Sequence, residues 1–439
     1  MSQNSLELML PKGMCDISPA DKILQQEVLD AIRSIFESYG YLPLETPLVE
    51  RMDVLKAKFA AGEGTDVSKE IFNVTDQGER ELGLRFDMTV PLARYVAMNP
   101  MVKLPFKRYA MGKVFRDGPI KLGRYREFWQ ADADIIGAPG PLADAEGVQM
   151  AAALFAKLDL DVTIPFSSRE LLAEMMDKVG IAEEQRGAAV IALDKLKKIG
   201  KEAVKKEMME NGVSGEQCDE LMTMTQLNGS NTEKLDSLEN SLGESPAVQR
   251  LRQIIEILKD IPNLEFDPSL ARGLGYYTGF FFETFLLKSK ISSSLVGTGR
   301  YDKMVGQFSN GKIDVAGVGM SFGVSVICDA LREKRENFRK SVTQVYVVPV
   351  SENEVGYATE VARMLRDSGL NTEMDLVGKS IGKNFSYADS LGIPVVVIVG
   401  ENELKERTCS VKVMVSGDQF STGFSDLFEK IKSSLGYSQ

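Results

Sequence analysis

The sequence predicts an α+β protein: a mainly antiparallel sheet flanked by helices, a helical insertion, and a C-terminal α/β domain. Three observations predict it. The stretch from Val114 to Gly137 places Arg124, Arg126, Phe128, Gln130, Asp132 and Asp134 on one alternating set and Tyr125, Glu127, Trp129, Ala131 and Ala133 on the other, the period of two that defines a strand. From about Ser168 to Pro262 the pattern is helical and highly charged, with no good strand candidate. Beyond Ser341, β-rich and helix-patterned segments alternate, as in a compact α/β unit.

The elements follow in order. Asp21 to Tyr39 carries apolar residues at Ile23, Leu24, Val28, Ile32, Ile35 and Phe36 and stops at Gly40, an amphipathic helix with its end signal. A short strand is expected at Tyr41 to Thr46. Glu81 to Asn99 reads as a strand turning into a helix, with Arg85, Asp87 and Thr89 on one face and Pro91 placed as a first-turn proline. A helix over Ala143 to Leu158 follows the quoted strand. Strand character returns at Gly275 to Leu287 and Gly317 to Ser325, before a helix at Val326 to Lys334. The tail is predicted as strands Gln344–Val350, Asn371–Asp375, Pro394–Gly400 and Ser410–Val415, with helices Glu354–Ser368, Ile381–Leu391 and Phe424–Leu435. The resulting divisions are 1–167, 168–262, 263–336 and 342–439.

Composition narrows the chemistry. The chain of 439 residues contains no histidine, which excludes an imidazole base, a Ser-His-Asp triad and a histidine-ligated metal. Cys15, Cys218, Cys328 and Cys409 lie far apart with no CxxC pair, a spacing that suits reduced thiols. No apolar run approaches the roughly 18 residues needed to cross a bilayer, and the start lacks a signal-like segment, so a cytoplasmic protein without a membrane partner is expected. The net charge of −11 confines any contact with a polyanion to local basic patches. The lysine run Lys195, Lys197, Lys198, Lys201, Lys205 and Lys206 is one candidate, read in preference as a solvated helix face.

The alternating polar face of the quoted strand sorts cations to one end and carboxylates to the other. Ten steps of about 3.3 Å span roughly 33 Å, room for a nucleoside triphosphate and a small amphoteric molecule end to end. Arg116, Arg124 and Arg126 suit phosphates, because guanidinium forks match phosphate oxygens. Phe128 suits a purine. Gln130 and Asp134, with Asp87 and Thr89 on a neighbouring strand, suit an ammonium group and a further N–H donor.

PKGMCDISPAD (Pro11 to Asp21), LETPLVE, LRFDMTVPLARY (Leu84 to Tyr95), the quoted stretch, LARGLGYYTGFFFE (Leu270 to Glu283), GTGRYDKMVG (Gly297 to Gly306) and GVGMSFG (Gly317 to Gly323) together resemble the histidyl-tRNA synthetases, a family of class II aminoacyl-tRNA synthetases. The tail resembles that family's anticodon-binding domain. The RGLxYYTG segment is the most specific of these matches. The resemblance implies ATP-dependent activation of histidine to the adenylate and transfer to the 3′ end of tRNA(His), with ATP carrying Mg2+, in a homodimer. By position it implies that Asp87, Thr89 and Gln130 hold the α-ammonium group, and that Asp134 and Tyr277 contact the imidazole, with Tyr276 and Tyr301 shaping the pocket. Arg116 falls to the α-phosphate, Phe128 to adenine, and Arg124 or Arg126 to the triphosphate tail. Arg272 falls between carboxylate and α-phosphate, where charge develops at phosphorus. The attacking carboxylate is already ionised, so this first step needs alignment and charge stabilisation more than a base.

The chain departs from the family pattern at several positions. Val326 stands where the third motif places an arginine on the γ-phosphate, Gly275 where aspartate is usual, Thr298 in an otherwise triple-glycine turn, Cys15 where arginine is frequent, and Gly118 near the usual acid of the second motif. Two alternatives therefore accompany the ligase reading: a catalytically weakened histidine-binding paralogue with a regulatory role, and an RNA-binding sensor with a degenerate catalytic domain.

Overall fold

The computed structural model describes residues 8–57, 69–120, 125–271, 277–335 and 338–436. The chain divides into two compact units, 1–15 with 27–334 and 16–26 with 335–439. In the first unit the strands are β1 Leu42–Pro43, β2 Val49–Arg51, β3 Asn73–Thr75, β4 Glu81–Leu84, β5 Phe106–Phe115, β6 Glu127–Ile136, β7 Val162–Ser168, β8 Leu264–Phe266, β9 Phe280–Leu286, β10 Val296–Arg300 and β11 Gly317–Gly323.

Eight of these form one sheet in the order β1-β5-β6-β11-β10-β9-β7-β8. The six central strands pair antiparallel, from β5 through β7, and a parallel pair closes each edge. The expected antiparallel sheet flanked by helices is therefore present, mixed at its margins. One face is apolar and covered. Ala131, Ala133 and Ile135 on β6 are buried there, and Phe36 from the helix Pro19–Ser38 sets its ring against Tyr109 and Phe322 at 5.5 Å each. The helix Pro141–Lys157 packs on this face so closely that a Cβ on Gly147 would lie 2.8 Å from the Met320 methyl carbon. The opposite face carries the polar series of β6, because a two-residue period that buries one set of side chains turns the other away.

Between β7 and β8 the chain is helical throughout, from Arg169–Lys178 to Pro246–Ile257. Several of these helices begin as their sequences specify. Ser214 and Ser230 each accept the amide three residues on, and Gln217 and Glu233 reciprocate, closing capping boxes that satisfy otherwise orphaned N–H groups. Four lysines of the run have acidic partners: Lys205 pairs with Asp219 at 2.6 Å, Lys206 with Glu210 at 3.9 Å, Lys195 with Glu207, and Lys197 with Asp267, just past β8, at 2.7 Å. That arrangement agrees with the solvated-face reading.

The second unit holds β12 Val345–Pro349, β13 Thr372–Met374, β14 Val395–Val399, β15 Thr408–Val413 and β16 Gln419–Gly423, in the order β13-β12-β14-β15-β16. The three strands on the β13 side are parallel, and β12 and β14 are valine-rich because helices cover both faces. Tyr357, Val361 and Leu365 pack on one side with Leu427 and Ile431, Phe385 and Ala388 on the other. Strand β16 and the short helix Glu401–Glu406 are present although no sequence signal had indicated them.

Candidate functional site

Register across the sheet assembles the site. On the polar face, Gln130 of β6 lies between Gly112 of β5 and Gly323 of β11, Asp132 between Ala110 and Ser321, and Asp134 between Arg108 and Gly319. The rungs continue onto β10 and β9, where Gly297 and Gly299 face Ser321 and Gly319, and Glu283 faces Gly297. Glycines thus floor the middle of the face, and larger side chains lie flat on them. A Cβ on Gly299 would stand 2.1 Å from the Tyr277 ring, one on Gly317 2.5 Å from the Tyr301 ring, one on Gly319 2.2 Å from Asp134 Oδ1, and one on Gly112 2.4 Å from a guanidinium nitrogen of Arg85. Each distance is shorter than any real Cβ contact, so these side chains keep their places only because the floor has no Cβ atoms.

The carboxylate end is a fully buried network. Tyr301 donates its hydroxyl to Asp134 Oδ1 at 2.5 Å, and Arg108 Nη2 stands 2.7 Å from Asp134 Oδ2 while donating to the Met88 carbonyl at 2.9 Å. Arg108 and Asp134 are each 1% exposed, so the pair is held in place by several partners at once, the condition under which a buried ion pair is sustained. Asp132, 3% exposed, is the next residue on this face. Burial, opposed by Arg108 and a hydrogen bond from Ser321 and reinforced by Asp134 and Asp87, pushes its carboxyl up to about 7. Arg85 is buried too, its Nε donating to the Lys113 carbonyl and its Nη1 to the Thr46 carbonyl, both at 3.0 Å. Burial lowers its pKa from the ordinary arginine value.

Asp87 and Thr89 are not on a neighbouring strand as expected. Strand β4 ends at Leu84 and belongs to a separate three-stranded sheet, β2-β4-β3. Thr89 opens the helix Thr89–Met98, and Asp87 Oδ1 accepts the Val90 amide at 3.0 Å. A carboxylate just ahead of a helix start satisfies an orphan donor and favours the dipole, which outweighs continuing the strand. The same start brings Met88 against Ala110, Val114 and Phe128, and Asp87 comes near enough to the polar face for its charge to act on Asp132.

At the cationic end, Arg116 donates Nε to the Phe86 carbonyl at 3.1 Å and lies 5.1 Å above the Phe128 ring centroid. Arg126 precedes β6 instead of lying within it: its Nη1 pairs with Asp117 at 2.8 Å and its Nε donates to the Gly118 carbonyl at 3.2 Å. Arg126 is thus partly engaged by protein groups. Arg124, Arg272, Tyr276 and Gly275 lie outside the described residues.

Three of the departures acquire a local account. Thr298 points to the covered face, where its hydroxyl accepts the Phe282 amide at 2.9 Å and donates to the Phe282 carbonyl at 3.1 Å, so it does not enter the trough. A Cβ on Gly118 would stand 2.5 Å from Glu70 Oε1, so a carboxylate occupies this place from another segment. Val326 is the third residue of the helix Val324–Lys334, and its apolar side chain cannot form the bonds of an arginine fork. Sequence reasoning assigned no role to Arg108, Arg85, Ser321 or Glu70. Arg108 and Ser321 could have been found from the period of β5 and β11; Glu70 and Arg85 could not, being brought in by tertiary packing.

An antiparallel sheet with one glycine-floored polar face, a buried cation–carboxylate network at one end and an Arg–Phe pair at the other is the architecture of a class II aminoacyl-tRNA synthetase. Residues 13–327 match the family described as histidyl-tRNA synthetase, and 344–434 the family described as anticodon binding domain. The chain is 38% identical over 427 residues to histidine--tRNA ligase 1 of Bacillus cereus, covering 96% of this chain and 97% of that one. It is 36% identical over 437 residues to histidine--tRNA ligase of Clostridium tetani, with 96% and 97% covered. The crystal structure of histidyl-tRNA synthetase from Nostoc sp. superposes with a TM-score of 0.87 at 31% identity, covering 98% of this chain and 100% of that chain. The chain belongs to the histidyl-tRNA synthetase family.

Proposed function

We propose that the protein is a histidine–tRNA ligase: it activates histidine with ATP to histidyl-adenylate and passes the histidyl group to the 3′ end of tRNA(His). The observation that carries this reading is the trough itself, in which Asp134 is locked by Arg108 and Tyr301 over a floor of Gly317 and Gly319. A carboxylate so fixed is preorganised to accept an N–H from a planar, two-nitrogen ring lying on the glycines, and preorganisation of this kind is the main source of specificity and rate in such sites.

In this reading Gln130, Asp87 and Thr89 hold the α-ammonium, Asp134 and Tyr277 the imidazole, and Tyr276 and Tyr301 wall the pocket. Adenine lies against Phe128, with Arg116 placed to carry an α-phosphate from its seat over that ring. Arg124 and Arg126 serve the phosphate tail, and Arg272 neutralises charge at phosphorus. Arg126 would exchange Asp117 for a phosphate, both being anionic partners of a guanidinium. Mg2+ travels with the ATP phosphates as part of that substrate, neutralising charge on the leaving pyrophosphate. The second unit reads the tRNA, two copies of the chain form a homodimer, and the protein works in the cytoplasm. Among the described residues no helix is long and apolar enough to cross a membrane.

The decisive experiment is ATP–pyrophosphate exchange with and without histidine. Exchange that requires histidine and falls at least about tenfold in Gln130→Ala supports the ligase, since losing a hydrogen bond to a charged group costs about 1.5–3 kcal/mol. Histidine binding without exchange would instead mark a paralogue that has lost the chemistry.

A further inference from the structure

The polar face contains acceptors with nothing to accept. Among the described residues, Gln130 Oε1 and Asp132 Oδ1 are buried and lack a hydrogen-bond partner, while the Ser321 hydroxyl favours the charged form of the Asp132 carboxyl. Gln130 and Asp132 are adjacent on this face of β6, and Ser321 stands opposite Asp132. Buried polar atoms are nearly always satisfied, and an unpaired carboxylate is among the costliest exceptions.

The charged groups facing Asp132 offset its burial only in part. Arg108 on β5 spends one nitrogen on both Asp134 Oδ2 and the Met88 carbonyl. Arg85 spends two nitrogens on backbone carbonyls of Lys113 and Thr46. Asp134 beside it on β6 and Asp87 ahead of the helix Thr89–Met98 are themselves anionic, and both oppose its ionisation. The Tyr301 hydroxyl is committed to Asp134. Asp132 thus shares its surroundings with two other carboxylates, Asp87 and Asp134, and two guanidinium groups, Arg85 and Arg108, both of which also bond backbone carbonyls.

We propose that Asp132 is a third carboxylate of the histidine subsite, accepting a hydrogen bond from the α-ammonium of the bound amino acid alongside Gln130. This rests on the ligase reading above and adds a contact to it. An ammonium group brings three N–H donors and a positive charge, and a charge-assisted bond is the strongest way to satisfy a buried carboxylate. Burial has pushed Asp132 up to about 7, so in the empty protein it is partly protonated near neutrality. An arriving ammonium holds it ionised, and histidine uptake at pH 7 releases a proton. A group raised in this way is charged above about pH 7, so its contribution to binding grows as pH rises through that value and is lost as pH falls below it.

The test compares the unaltered protein with Asp132→Asn and, as a second neutral variant, Asp132→Ser. The readouts are histidine and ATP KM in exchange, proton release on histidine binding measured calorimetrically in buffers of different ionisation enthalpy, and thermal unfolding without ligand. The imidazole of free histidine also titrates, so each pH is read as the difference between protein forms. The expected result is a histidine KM raised roughly 10- to 100-fold, ATP KM unchanged, proton release at pH 7 reduced, and a Tm equal to or above that of the unaltered protein, because the variants remove an unpaired buried charge. A lowered Tm with unchanged histidine KM would assign Asp132 a purely structural role and overturn the inference. Equal affinity and equal proton release in all three forms would overturn it too, while leaving the ligase reading intact. Failure of the unaltered protein to bind histidine would sink both.

Discussion

Gly319→Ala isolates the contribution of the glycine floor. The Cα of Gly319 faces that of Asp134 across the β6–β11 register, and an added Cβ would stand 2.2 Å from Asp134 Oδ1 and 3.0 Å from a ring carbon of Tyr301. Gly319 is not among the residues with positive φ, so alanine brings no backbone strain and only the new methyl group matters. Real Cβ contacts below 3.0 Å essentially do not occur; the carboxylate must therefore retreat by at least about 0.8 Å. It cannot do so freely, being held by Arg108 at 2.7 Å and Tyr301 at 2.5 Å. A displacement near 1 Å in a positioning group costs about a hundredfold in rate or specificity, and overpacking costs about 1–3 kcal/mol of stability. In exchange assays histidine kcat/KM should fall by about that factor while ATP KM moves less than about twofold, with Tm lowered. Gly382→Ala is the control: Gly382 is exposed in the helix Ile381–Ser390 with nothing within 4 Å of its missing Cβ, and alanine there should stabilise by up to about 1 kcal/mol. If Gly319→Ala keeps histidine kcat/KM within about twofold of the unaltered protein, amino-acid recognition does not run through Asp134.

Two further outcomes follow from groups away from the trough. Asp144 is buried between Arg300, whose Nη2 lies at 2.8 Å, and Arg250, also at 2.8 Å; Asp144→Ala should cost about 3–5 kcal/mol in denaturant unfolding, since it strands a buried guanidinium, and a loss below about 1 kcal/mol would mean that Asp302, 3.1 Å from Arg300 Nη1, suffices as a partner. Native alkylation should label the exposed Cys15 first, because Cys218, Cys328 and Cys409 are buried and burial pushes the Cys409 thiol up to about 11; all four should react in denaturant, and early labelling at Cys409 would contradict the packing described for the second unit.

How much of this was legible depended on the range of the interaction. The helix Pro19–Ser38 and the strand Glu127–Ile136 were readable because one face of each is apolar at a fixed period, and burial of that face dictates the element. The same period placed Phe128, Gln130, Asp132 and Asp134 together on one face. Arg126 was expected on it and lies ahead of the strand, because its carbonyl and amide are taken by Arg116 and Gly13 in the approach to the hairpin. Asp87 and Thr89 were read as strand because Arg85, Asp87 and Thr89 alternate; the helix start won because Pro91 fits a first turn and the Asp87 carboxylate satisfies the Val90 amide. Strand β16 was missed because Gln419–Gly423 has a single fully buried residue and gains its place by pairing with β15.

By itself, the sequence determined the alternation of β6, the helical module between β7 and β8, and the motifs that mark the family, since each is carried by residues near one another in the chain. Only the tertiary structure decided that Arg108 would clamp Asp134, that Tyr277 and Tyr301 would lie on Gly299 and Gly317, and that Glu70 would bring a carboxylate to Gly118. These contacts join segments distant in sequence, and they exist because strands some 4.8 Å apart align glycines from one segment beneath side chains from another, a coincidence that no local pattern encodes.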